Sequence, residues 1–167
     1  MNSSNVVLIG MPGAGKSTIG VLLAKSLRMP FIDTDLLIQQ QEDSFLQDII
    51  NRDGIEKFLA VEEEVILKLN VEKHVIATGG SVIYSPAAMK HLKSNSTIIY
   101  LELTFEEMLT RITNIKSRGI AIGSDQSLLD LYKERTPLYE KYSDIKVYCS
   151  GKHMEEIVDE IKNSIKY

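Results

Sequence analysis

Gly10-Met11-Pro12-Gly13-Ala14-Gly15-Lys16-Ser17-Thr18 is the stretch that decides the reading of this chain. The apolar run Val6-Val7-Leu8-Ile9 precedes it and a helical apolar pattern continues from it to about Leu27, so a strand enters the loop and a helix leaves it. Glycine spacing alone would say little; the strand-loop-helix setting marks a phosphate-binding loop. Gly10, Gly13 and Gly15 let the backbone turn closely enough for its N–H groups to surround phosphate oxygens, and the new helix directs its positive end to the same place. The backbone at Gly13, Ala14, Gly15 and Thr18 is therefore expected to bind a nucleotide, ATP or GTP. Lys16 is expected to reach its outer phosphates and Ser17 to ligand magnesium.

Outward from the loop, Pro30 breaks the first helix, and Phe31-Ile32 begins a short strand ending at Asp33 with Thr34-Asp35 just beyond. Two acids thus stand at a strand end. Asp33 suits magnesium, held through water or by its hydration shell. Asp35 is placed to orient an acceptor hydroxyl and take its proton, or else to cap the helix that follows. Residues 36–41 suit that helix, Ser44 is expected to cap another through Ile50, and Asp53-Gly54 reads as a turn. Over residues 55–69, Phe58, Leu59, Val61, Val65, Ile66 and Leu69 form one broad apolar face. That leaves Glu62, Glu63 and Glu64 to a solvated face rather than a metal site.

Val75-Ile76-Ala77 reads as a buried strand and Thr78-Gly79-Gly80-Ser81 as its closely approached end. Pro86 begins a short helix to Leu92, Thr97-Ile98-Ile99-Tyr100-Leu101 is a strand, and Thr104 with Glu107 forms a capping box for a helix through about Ile115. Residues 117–124 contain Gly119 and Gly123 and keep no period, which suits a mobile loop; the lid is set at about 116–125. Asp125 is expected to cap the next helix and Pro137 to bend it or end it early. Ile145-Lys146-Val147-Tyr148 is the last strand, and residues 154–165 form an amphipathic closing helix. Five short strands joined by crossover helices imply an α/β three-layer sandwich around a mostly parallel sheet, as one domain over residues 1–167.

Composition agrees. The 167 residues fit one domain, and 44% hydrophobic, 25% charged and four prolines describe a globular chain rather than a disordered or fibrous one. A net charge of −4 and a pI near 5.4 argue against a broad nucleic-acid surface while permitting a local basic pocket. No run has membrane-span length, Met1-Asn2-Ser3-Ser4-Asn5 lacks the regions of a secretion signal, and Cys149 has no second cysteine to pair with; cytoplasmic location is expected. Cys149 is read as structural, and His74, His91 and His153 have no metal-motif spacing. Phosphoryl transfer needs charge compensation and water exclusion more than a protein nucleophile. Arg118, in the glycine-flanked loop, is accordingly expected to close over the phosphates, whereas Arg111 and Arg135 by themselves read as surface charge.

The ensemble resembles the shikimate kinase family across nearly the whole chain. The resemblance rests on the phosphate loop, Phe31-Ile32-Asp33-Thr34-Asp35, Gly54 with Phe58 and Glu62, Ala77-Thr78-Gly79-Gly80, Arg111, Arg118 and Glu134-Arg135-Thr136-Pro137-Leu138-Tyr139. It implies a nucleoside-monophosphate-kinase-like fold with sheet order 2-3-1-4-5, and ATP-dependent phosphorylation of the 3-hydroxyl of shikimate with Mg2+. It further implies Asp35 on the acceptor hydroxyls, Gly80 in the acceptor pocket, Arg135 on the acceptor carboxylate, Arg118 on the phosphates, and Arg111 and the Lys152 region near adenine. A monomer is expected, with no nucleic-acid or membrane partner. The chain departs from the pattern at Leu59, where a second carboxylate-binding arginine is usual, at Ser81 in the glycine triplet, and at Gly119 where a proline follows the lid arginine. Ile55 in place of an acid and Val21 in place of an arginine are further departures. A kinase for another small hydroxylated metabolite and a nucleotide-binding regulatory protein are the alternatives.

Overall fold

A computed structural model describes residues 4–112 and 119–165. Residues 6–9 are apolar without alternation because the strand they form is covered on both faces, and all four side chains are buried. This strand, β1 (Asn5–Ile9), occupies the centre of a five-stranded parallel sheet with β2 (Phe31–Asp33), β3 (Val75–Ala77), β4 (Ser96–Glu102) and β5 (Ile145–Tyr148), in the order β2-β3-β1-β4-β5. The register sets Val6 opposite Val75 on one side and Thr97 on the other, and pairs Ile99 with Ile145. The order and the flanking helices are those that the resemblance implies.

The helices are α1 (Lys16–Leu27), α2 (Thr34–Glu42), α3 (Leu46–Leu67), α4 (Pro86–Lys93), α5 (Phe105–Arg111), α6 (Leu128–Tyr142) and α7 (Met154–Ser164). Helix α1 packs beside α7 and over β3, α4 lies over β4 and against α3, and α6 also meets β4. Parallel strands require these crossovers, and every βα turn consequently falls at the carboxyl edge of the sheet. Among the described residues no helix is long and apolar enough to cross a membrane.

Asp53-Gly54 does separate two helical stretches, as the sequence implies: Gly54, at φ 85° and ψ 168°, is non-helical, and α3 is two helices joined across this kink. Several boundaries differ from the sequence expectation. Phe45, not Ser44, precedes α3; the Leu46 N–H donates to the Gln39 side chain, and the Ser44 hydroxyl accepts from Arg52. Helix α5 stops at Arg111, since Ile112 leaves helical geometry at φ −92° and ψ 90°. Its capping box is half made. Thr104 accepts from the Glu107 N–H at 3.2 Å, but Glu107 turns to Arg111, and the Thr104 N–H donates to Ser150. Ser127 caps α6 with Asp130 in a reciprocal box, displacing Asp125 from that role. Pro137 does not end α6, because Leu131, Arg135 and Tyr139 form one buried stripe on both sides of it and hold the two halves against the same surface.

Candidate functional site

A cavity of about 390 Å³ opens at the carboxyl edge of the sheet, between the phosphate loop, Asp35, Phe58, residues 78–81, residues 119–121, Arg111 and Arg135. Segments remote in sequence meet there because β1, β2 and β3 are neighbours and all end on the same side.

The loop after β1 adopts the conformation its glycines allow. Gly13 and Gly15 have φ of 82° and 92°, a region that side chains disfavour, and α1 begins at Lys16 immediately afterwards. Lys16 folds back so that Nζ donates to the Gly10 and Met11 carbonyls at 2.7 and 2.9 Å. An ammonium carries three donors, so one is left for a ligand. Burial pushes the Lys16 pKa down to about 8, opposed by Asp35 and assisted by Arg135.

Ser17 Oγ donates to Asp33 Oδ2 at 2.8 Å, while Asp33 Oδ1 accepts the Asp35 N–H at 2.9 Å. Asp33 is thus the residue that caps α2, and Asp35 is spared that duty. Asp35 lines the cavity, where burial raises its carboxyl to about pKa 6, Asp33 adds to the rise and Lys16 resists it. The Ser17 hydroxyl and Asp33 carboxylate offer hard oxygen donors side by side, a set that fits magnesium, which binds few protein oxygens and keeps water ligands.

Glu62 corrects the expectation of a solvated acidic face. Only Glu64 of the triplet is exposed; Glu63 accepts from the Ser85 hydroxyl, and Glu62 is buried. Glu62 Oε1 accepts from Ser81 Oγ at 2.8 Å, whereas the buried Oε2 has no hydrogen-bond partner among the described residues. A Cβ built on Gly79 would lie 2.7 Å from Asp35 Oδ1 and 2.8 Å from Glu62 Oε2, so the two carboxyls flank the bare glycine backbone. Burial raises Glu62 to about pKa 7 against the Ser81 hydrogen bond, with Asp35 contributing to the rise. One sequence signal could have found it: Glu62 is four residues after buried Phe58, on the same helical face.

Arg135 is not surface charge. It is 1% exposed, donates from Nη2 to the Ala121 carbonyl at 2.8 Å and from Nε to the Tyr84 hydroxyl at 3.2 Å, and has no ion pair among the described residues. Gly80 lies against it; a Cβ there would be 2.8 Å from Arg135 Nη1, and the Gly80 carbonyl accepts from the Tyr139 hydroxyl at 2.6 Å. Arg111 is half-buried rather than a free surface charge, donating to the Gly13 carbonyl at 3.1 Å and pairing with Glu107 at 2.7 Å. Lys152 pairs with Glu160 at 2.6 Å and is not part of the cavity lining.

Arg118 and residues 116–117 of the expected lid lie outside the described residues. Gly119 has φ 65°, which proline cannot adopt, and a Cβ there would meet Leu46 Cβ at 2.3 Å. Leu59 is half-buried against the cluster containing Ile38, Ile49 and Phe58, away from the cavity lining. Cys149 is fully buried and its thiol is pushed up to about pKa 12 by that burial, as a structural cysteine should be.

The shikimate kinase family model matches residues 12–166. A shikimate kinase of Paracidovorax citrulli is 37% identical over 163 residues, 94% of this chain and 89% of the relative. Among solved structures, the shikimate kinase of Acinetobacter baumannii in complex with shikimate superposes with a TM-score of 0.90 at 29% identity, covering 97% of this chain and 92% of the other. The Aquifex aeolicus shikimate kinase gives 0.84 at 35% identity, covering 96% and 95%. This chain belongs to the shikimate kinase family.

Proposed function

We propose that this member of the shikimate kinase family transfers the γ-phosphoryl group of ATP to the 3-hydroxyl of shikimate, giving shikimate 3-phosphate and ADP. The observation that carries the reading is Arg135. A buried guanidinium without a carboxylate partner is costly, and an anionic acceptor entering the cavity relieves that cost. The cavity also holds the phosphate-loop lysine and a partly buried aspartate, so cation, base and phosphate site share one space.

In this reading the loop backbone from Gly13 to Thr18 cradles the phosphates and the free Lys16 donor meets the transferring group. Magnesium, held by Ser17 and by Asp33 directly or through water, would supply neutralisation of phosphate charge when bound. Asp35 orients the acceptor hydroxyl and takes its proton. The freed oxygen forms its bond to the γ-phosphorus while the bond from that phosphorus to the bridging oxygen breaks, leaving ADP. With a pKa of about 6, Asp35 is mostly ionised at neutral pH yet still basic enough to accept a proton. Gly80 leaves room for the acceptor beside Arg135, and Arg111 lines the nucleotide end; the Lys152 region, outside the cavity lining, is assigned to the adenine on the resemblance alone. Arg118 is assigned its phosphate contact, and residues 116–125 their lid role, on the resemblance alone.

Leu59 favours a second reading, a kinase for a different small hydroxylated metabolite, since one arginine clamps a carboxylate less fully than two. Steady-state transfer from ATP and Mg2+ to shikimate, its uncharged carboxamide and related polyols separates the two. Preference for shikimate over the carboxamide is expected; reaction with a neutral polyol and none with shikimate would transfer the assignment to the second reading.

A further inference from the structure

We propose that Tyr84 is a positioning residue for acceptor recognition, holding the Arg135 guanidinium so that one cation can serve as the carboxylate clamp. The inference rests on the reading that Arg135 binds the acceptor. Tyr84 ends the short 3-10 turn Val82–Tyr84 that follows Gly80 and Ser81, and it is half-buried. Its hydroxyl donates to Glu134 Oε1 at 2.6 Å and accepts from Arg135 Nε at 3.2 Å. The Arg135 carbon Cζ lies 5.3 Å from the centroid of the same ring. Ring and hydroxyl therefore restrain the guanidinium together, one through its face and the other through a directed hydrogen bond.

The direction of these bonds matters. A phenol has one proton, and Glu134 takes it, so the oxygen presents lone pairs to Arg135. Tyr84 is thereby interposed between Glu134 and Arg135: it conveys part of the carboxylate's attraction without an ion pair that would neutralise the arginine. The other Glu134 oxygen accepts from Gln126 Nε2 at 2.9 Å, Gln126 Oε1 accepts from the Gly123 N–H at 3.3 Å, and Arg135 Nη2 donates to Ala121. Arg135 is thus tied to residues 121–126 twice, directly at Ala121 and through Tyr84, Glu134 and Gln126 to Gly123. With Leu59 apolar, the orientation of the remaining arginine carries the discrimination, and two of its five donors are already spent on setting that orientation.

The test uses Tyr84→Phe, Tyr84→Ala and Arg135→Lys in the full chain, with KM and kcat measured for shikimate and for its carboxamide under saturating ATP and Mg2+. An inhibition constant replaces KM if the carboxamide does not react. Tyr84→Phe should raise the shikimate KM by about tenfold, the worth of one hydrogen bond to a charged group, with kcat and the ATP KM within about twofold. The carboxamide constant should barely move. A general structural role would weaken both acceptors alike, so equal losses, or an unchanged shikimate KM in Tyr84→Phe, would overturn the proposal. Tyr84→Ala should exceed Tyr84→Phe; if it fails to fold, the phenylalanine variant still decides. If Arg135→Lys leaves the shikimate KM unchanged, the acceptor reading of Arg135 fails and this inference with it. If Arg135→Lys raises that KM and Tyr84→Phe does not, only the role given to Tyr84 is lost.

Discussion

Replacing Gly79 by alanine puts a methyl group at the point where two carboxyl groups converge. The backbone tolerates the change, because Gly79 is not among the glycines with positive φ. The space does not: the new Cβ would sit 2.7 Å from Asp35 Oδ1 and 2.8 Å from Glu62 Oε2, and each must retreat to 3.4 Å or more for ordinary contact. Glu62 cannot swing away without giving up Ser81, and Asp35 cannot without leaving the position from which it faces the acceptor. Misplacing a reacting group by about 1 Å costs up to roughly 100-fold, so kcat/KM should fall about 10- to 100-fold. Overpacking of this kind costs about 1–3 kcal/mol, and each kcal/mol lowers Tm by about 2–4 °C in a domain of this size. Gly123→Ala is the control, since its Cβ would find Gln126 no closer than 3.6 Å. Steady-state kinetics at a temperature where both variants are fully folded by circular dichroism provide the measurement. Activity of Gly79→Ala within about twofold of the parent would refute the claim that Asp35 and Glu62 jointly shape the acceptor site.

Three further outcomes follow from the same geometry. The kcat/KM profile should rise through about pH 6 as Asp35 ionises and fall above about pH 8 as Lys16 loses its proton; a flat profile over roughly pH 5 to 9 would remove both groups from the rate law. Glu62 binds its proton more tightly folded than unfolded, so its contribution to stability declines as pH rises from the ordinary carboxyl range through about 7; Glu62→Gln should therefore raise Tm more at pH 8 than at pH 5, and an equal effect at both would contradict the burial of a titrating acid. Asp35→Asn should lose turnover by about 100-fold or more while nucleotide–magnesium affinity, measured by calorimetry, stays within about threefold; the reverse pattern would exchange the roles given to Asp33 and Asp35.

Much of this arrangement was legible before the structure. The strands that read as short runs are the strands observed: β1 and β3 are covered on both faces and leave no alternation to misread, while the edge strand β5 alternates, with Lys146 and Tyr148 exposed. The phosphate loop was legible for a related reason: glycines, lysine and serine sit at fixed offsets that only one backbone path satisfies. Strand order came from the family resemblance, since apolar runs say which segments pair with something and not with what. The acidic triplet misled because a run of three glutamates looks uniformly polar, whereas a helix sends successive side chains about 100° apart and turned Glu62 alone toward Ser81. Arg135 was legible only through the resemblance, as one arginine in a polar helix carries no burial signal of its own. Tyr84 was invisible, lying in a 3-10 turn too short to show any period.

The central position of β1 also governs when the chain can assemble as it is synthesised. Residues 5–9 are made first, yet their neighbours in the sheet are residues 75–77 and 96–100, so one edge of β1 stays unpaired until residue 77 has been made and the other until residue 100 of the 167. The adjoining strand in sequence, β2, offers no relief, because it pairs with β3 rather than with β1. The nucleotide loop is therefore written early and supported late. Pairings this distant must overcome loop-closure entropy before they return any stabilisation, which makes the first third of the chain dependent on the remainder for its fold.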